Sequence, residues 1–191
     1  MPTTAWLEMR LALAGTLRLA RGDRGGLTCF DRSLDGFWRS FRAAFISYPL
    51  YLVLLTMRVG MPEWHRSGGL RIVIVETIAY VIAWVAFPLI MLAVTRWLGR
   101  EHRFFDFMVP YNWSQVPQSA LFVLVGLEAE SGVLSAPVAQ TIDIAAAAAV
   151  LAYEWYIARV ALETTGLAAV FVVFIDLVLG VVVSHIAGGL Y

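Results

Sequence analysis

Along the chain, apolar runs of about twenty residues alternate with short stretches rich in arginine, glycine or polar residues. Twenty residues is the length at which a helix crosses a bilayer core. The pattern predicts an all-α polytopic membrane protein with five transmembrane helices, at about 41–57, 72–95, 107–127, 138–158 and 167–188, after an N-terminal amphipathic helix. In that first helix, Thr4–Ala20, the residues Trp6, Met9, Leu13, Leu17 and Ala20 share one arc beside Arg10, Arg18 and Arg21, while Leu7 and Leu11 fall among the arginines. Such a helix lies on the cytoplasmic leaflet or docks on the protein's own spans. Arg21–Gly26 reads as a flexible break, and the first span begins after Asp35-Gly36, at about Phe41. Phe37 and Trp38 suit the headgroup belt, and Pro49 suits a kink. The whole chain, 1–191, reads as a single membrane domain, with 1–36 as interfacial helix and linker.

One span breaks the apolar pattern. Phe104–Gln118 (FFDFMVPYNWSQVPQ) carries Asn112, Ser114, Gln115 and Gln118 into hydrocarbon, where an unsatisfied polar group costs several kcal/mol. Asp176 sits near the centre of the otherwise apolar fifth span. At about 1.5 Å per helical residue, depth matching puts Asn112 level with Glu154, and Gln115 and Gln118 level with Asp176. Arg58, Glu76, Asp143 and His185 form an outer layer. These depths predict that the third and fifth spans are neighbours, with Asp176 turned toward Gln115 or Gln118. An intramembrane acid of this kind either carries a proton for transport or ties helices together as a hydrogen-bonding group. Glu154 pairs most simply with Arg159, one and a half turns on. Carboxylate and imidazole in the outer layer suit a cation or a proton, but the ligand spacing is too loose to predict a metal site. Asp176, Gly180, Ser184 and Gly188 recur every four residues and would pack on Ala145, Ala148, Ala149 and Ala152 of the fourth span, or on a second copy in a homodimer.

Composition narrows the class. With 60% hydrophobic and 15% charged residues, the chain is no ordinary soluble domain. Zero net charge gives no global attraction to nucleic acid; the expected partners are the bilayer and other membrane protein. The single cysteine, Cys29, excludes an intramolecular disulfide framework. Glu8 and Arg10 interrupt any apolar run before Ala12-Leu13-Ala14, so a cleaved signal peptide is not expected. Neither a nucleotide loop nor any motif of hydrolytic or metal-dependent catalysis occurs, so neither an enzyme nor a cofactor is expected. All fourteen basic residues are arginine. Seven lie in the N-terminal segment through Arg42, three in the 96–106 loop and one after the fourth span, against three in the 58–71 loop. The lack of lysine reads as a base-composition bias that points to a bacterium and so to its inner membrane, and the asymmetry predicts an N-terminus in the cytoplasm and a C-terminus outside.

The basic turn Arg96–Arg103, leading through Phe104-Phe105 to a third span with Tyr111-Asn112-Trp113, resembles the Yip-type (Rab/Ypt-interacting) five-span membrane proteins and their bacterial relatives. The resemblance covers Phe37–Gly188 in outline. It implies a membrane-organising role or, for some bacterial proteins of this layout, transport, and it implies no catalytic residues. The eukaryotic Asp-Leu-Tyr-Gly-Pro signature is missing, so no Rab-binding site carries over. Two functions therefore stand side by side: a small transporter or channel-like protein built on the polar third span and Asp176, and a non-transporting membrane organiser.

The orientation is open to a direct test. A cysteine placed at Ser131, with Cys29 replaced by serine, should react with an impermeant thiol reagent on intact spheroplasts. Labelling only after lysis would reject the topology.

Overall fold

The computed structural model describes residues 5–191, which form eight α-helices and no strand. These are α1 (Ala5–Ala20), α2 (Leu34–Ser40), α3 (Arg42–Arg58), α4 (Met61–Ser67), α5 (Gly69–Trp97), α6 (Phe104–Ser131), α7 (Ala136–Ala161) and α8 (Gly166–Gly188). Four stretches are long and apolar enough to cross a bilayer: the α2–α3 rod from Leu34 to Arg58, α5, α7 and α8. α6 has 28 residues, ample length, but its amides, acids and two internal prolines keep it out of that group. It lies instead at the centre of the assembly, packed against α1, α2, α3, α5 and α7. From Phe107 to Ser114 every residue of α6 is buried. α8 completes the bundle by packing on α5 and α7.

The first crossing begins earlier than the sequence pattern suggests. Ser33 caps α2, its Oγ accepting from the Gly36 N–H at 3.0 Å, so Asp35 falls in the first turn where its charge favours the helix dipole. Gly36 is thus helical, and it faces the Asp31 carbonyl so closely that a Cβ would stand 1.8 Å from that oxygen. Phe37 does not join a headgroup belt: it is buried among Phe41, Phe104 and Phe105, while Trp38 alone stays exposed.

Of the two placements for α1, the structure adopts docking. The face turned inward is Ala12, Gly15, Thr16 and Leu19, not the expected arc, of which Trp6, Leu17 and Ala20 are exposed. Small residues win because they let the helix approach its neighbours. At Gly15 a Cβ would meet the Phe30 ring at 2.7 Å and the Gly26 carbonyl at 2.9 Å. Polar ties then fix α1 in place. Glu8 bonds Arg39 at 2.9 Å and reaches Arg42 at 3.5 Å, and Tyr153 donates to the Thr16 carbonyl at 2.9 Å. The Arg21–Gly26 segment is no loose break: Arg24 opens a 3-10 turn capped by Asp23. The Arg18 guanidinium and the Gly25 N–H hold the Asp23 carboxyl below the usual carboxylate range.

α7 and α8 are antiparallel neighbours, but not through the small-residue stripe. Around the connecting turn Ala158, Ala161, Leu162, Ala169 and Val172 are buried in one core cluster. Ala145, Ala148, Ala149 and Ala152 are exposed, and a Cβ built on Gly180 meets nothing within 4 Å. α8 leans on α5 as well, which carries its middle away from α7 and leaves Gly180 beside open space.

These two glycines should therefore respond oppositely. Gly36→Ala forces the Asp31 backbone aside and should cost about 1–3 kcal/mol, whereas Gly180→Ala should leave detergent thermostability unchanged. Equal melting temperatures for the two variants would contradict the α2 geometry.

Candidate functional site

The open space beside Gly180 is a cavity of about 630 Å³ between α5, α6, α7 and α8. α6 supplies Tyr111, Asn112, Gln115, Gln118 and Phe122, a set three and four residues apart and so on one helical face. α7 supplies Glu154, α8 supplies Asp176 and Ser184, and α5 closes the side with Trp84 and Phe87. The inner candidates from the sequence, Asn112, Gln115, Gln118, Glu154 and Asp176, thus line a single space.

Each is held differently. Asn112 donates from Nδ2 to Ser40 Oγ at 2.8 Å, and Ser40 donates to the Phe37 carbonyl at 2.6 Å, which ties α6 to α2. Gln118 donates from Nε2 to Ser114 Oγ at 3.1 Å, and Ser114 to the Tyr111 carbonyl at 2.7 Å. Glu154 is only 7% exposed; the side-chain amides of Gln115 and Gln118 stand beside its carboxyl group, and no described cation forms an ion pair with it. The expected pair with Arg159 does not form. Five residues along a helix is about 140° around the axis, so Arg159 points outward and lies over the Trp155 ring, 5.5 Å from its centroid. Asp176 stands beside Tyr111, whose ring stacks on Phe87 at 4.4 Å. No described hydrogen bond ties it to Gln115 or Gln118; the three line the same cavity, and α6 reaches Asp176 through Tyr111.

A second cavity, about 250 Å³, adjoins the first and shares Ala83, Trp84, Gln115, Gly180 and Ser184 with it. On its wall Ser47 Oγ is buried without a hydrogen-bond partner. Glu76, 1% exposed, stands at the far side, and its carboxylate accepts from Tyr51 at 2.5 Å and Tyr191 at 2.7 Å and pairs with Arg58 at 2.6 Å. Arg58 also reaches Ser184 Oγ at 3.4 Å. Burial, reinforced by the Glu76 carboxylate, pushes the Tyr191 phenol up to about 12, so it is a donor at neutral pH.

The outer layer expected from depth is therefore only half assembled. Arg58 and Glu76 meet, while Asp143 and His185 are exposed and join neither cavity. Half a turn separates His185 from Asp176 around α8, which puts the imidazole on the outward face. No three His, Cys, Asp or Glu side chains among the described residues come together as a metal site would require. Several participants were not singled out from sequence: Ser40, Trp84, Phe87, Tyr51 and Tyr191. Tyr48 and Tyr51, three apart in an aliphatic run, were the one available signal. Among protein-family models, curated proteins and solved structures, nothing matches this chain.

The Glu76 group makes a sharp stability prediction. Arg58→Met leaves a buried carboxylate without its cation, which typically costs about 3–5 kcal/mol, and the 44% exposure of Arg58 favours the lower figure. Adding Glu76→Gln should recover part of the loss in thermal unfolding. An additive double variant would show that the pair does not act as a unit.

Proposed function

We propose that this protein is a small transporter or channel-like protein of the cell inner membrane, crossing it five times with the N-terminus cytoplasmic. In this reading α6 is the fifth crossing, shielded from lipid by the four apolar ones. The observation that supports it is the convergence of Asn112, Gln115, Gln118, Glu154 and Asp176 on one cavity. Polar groups with no task beyond helix contact would be expected to meet one another in a dry cluster, not to border empty space. Asp176 and Glu154 are the proton-carrying groups, because a carboxylate beside a cavity at membrane depth exchanges protons with whatever occupies it. The adjoining cavity extends the polar route toward Glu76, and the unpartnered Ser47 hydroxyl calls for water or solute there.

A membrane-organising role is the second reading. It is favoured by the docked α1 platform, where Trp6 and Leu17 stay exposed beside Arg10 and Arg18. A protein of that kind would be indifferent to the cavity.

Plugging the cavity separates the two. Gly180 borders both cavities and has free space at its Cβ, so Gly180→Phe should fold normally and fill the junction. Proteoliposomes with the natural chain should dissipate an imposed pH gradient faster than protein-free vesicles, and Gly180→Phe should bring the rate back toward theirs. Equal rates for the natural chain and empty vesicles would reject proton movement through this protein.

A further inference from the structure

The lining of the large cavity has a one-sided chemistry. It contains two carboxylates, Glu154 and Asp176, and no arginine or histidine. Arg58 touches a lining residue at Ser184, eight residues and about 12 Å along α8 from Asp176, and its charge is already matched by Glu76 at 2.6 Å. The aromatic rings of Trp84, Phe87 and Tyr111 line the same space, Tyr111 beside Asp176 and stacked on Phe87. At about 630 Å³ the space falls in the range of small-molecule sites.

We propose that this cavity binds an organic cation, a small ammonium compound with apolar substituents. Its charge is met by Glu154 and Asp176 and its apolar part by the aromatic wall. Two observations independent of the acid count point the same way. Glu154 is more than nine-tenths buried at the cavity wall, where the neutral amides of Gln115 and Gln118 stand beside its carboxyl group and no cation pairs with it. Aromatic faces attract cations through their quadrupole, most strongly where water is excluded. A simple metal ion would need oxygen ligands packed around it at about 2–2.5 Å, and a cavity this large does not supply them. An anion meets two carboxylates and no compensating base. The proposal rests on the transport reading only for movement of the cation; binding stands by itself.

Benzyltrimethylammonium and its neutral isostere neopentylbenzene differ in charge and hardly in shape, which makes them the probes of choice. Equilibrium dialysis against the purified full-length chain in detergent, corrected for empty micelles, should show saturable binding of the cation and none of the neutral compound. Glu154→Gln and Asp176→Asn should each weaken cation binding about tenfold, the effect of one well-placed charge worth about 1.4 kcal/mol, whereas Asp143→Asn, outside the cavity, should not. No saturable binding, equal binding of cation and isostere, or undiminished binding by both acid variants would overturn the proposal. Should the variants fail to fold, the comparison of cation with isostere on the natural chain decides alone. Cation binding without uptake into proteoliposomes supports the site and removes the transport reading. Proton flux without cation binding does the reverse.

Discussion

The constraint on which this structure depends is the hydrogen-bonding demand of α6. A helix with Asn112, Ser114, Gln115 and Gln118 on its inner turns cannot face hydrocarbon, so other helices must surround it and meet those groups. The α2–α3 rod does so directly, Ser40 taking the Asn112 amide. Ser114 and Gln118 satisfy each other in part within α6 itself. Gln115 alone looks into the cavity from both sides of its junction. The apolar helices then have their own outer faces to offer to lipid, and they do: Ile78, Val81, Ile82, Val85, Leu89, Phe174 and Val181 are all exposed.

The ends of the bundle are held by a different kind of force. At the cytoplasmic end in the proposed orientation, Asp106 takes Arg32 at 3.2 Å and Arg103 at 2.8 Å, and Arg103 also pairs with Glu163 at 2.5 Å in the α7–α8 turn. Asp31 and Glu8 converge on Arg39. Exposed pairs of this sort contribute little one by one, but they link four separate segments around the base of α6. The opposite end depends on the Glu76 group, where one buried carboxylate gathers α3, α5 and the residue Tyr191 beyond α8. Charge therefore fixes register at both ends, while the middle is left to shape.

Much of this was legible in the chain because length and polarity are one-dimensional signals. The all-helical class, the order of the long apolar helices and the anomaly of α6 all follow from spacing along the sequence. Azimuth does not. Nothing in the periodicity tells that Arg159 faces away from Glu154, since the five-residue separation matters only once a helix is known to pack on one side. The stripe Asp176–Gly180–Ser184 has the spacing of a close helix contact, yet spacing alone cannot distinguish a wall that touches a neighbour from one that borders a void. The docked face of α1 was missed for a related reason. Hydrophobicity picks out Trp6 and Leu17, whereas close approach selects Ala12, Gly15 and Thr16, residues that a hydropathy pattern ranks low.

The prolines bear on motion. Pro88 lies inside α5 at the cavity wall, and Pro110 and Pro117 lie inside α6, one below and one at the level of the amides. Each lacks the N–H that would bond the carbonyl four residues earlier. The backbone oxygens of Trp84, Asp106 and Trp113 are thereby released from the helical ladder. Pro88 places one such gap at the cavity wall of α5, and Pro117 places another on α6 between Gln115 and Gln118. A bend at either position would break no backbone hydrogen bond, so in the transport reading these are the places where the cavity wall gives first.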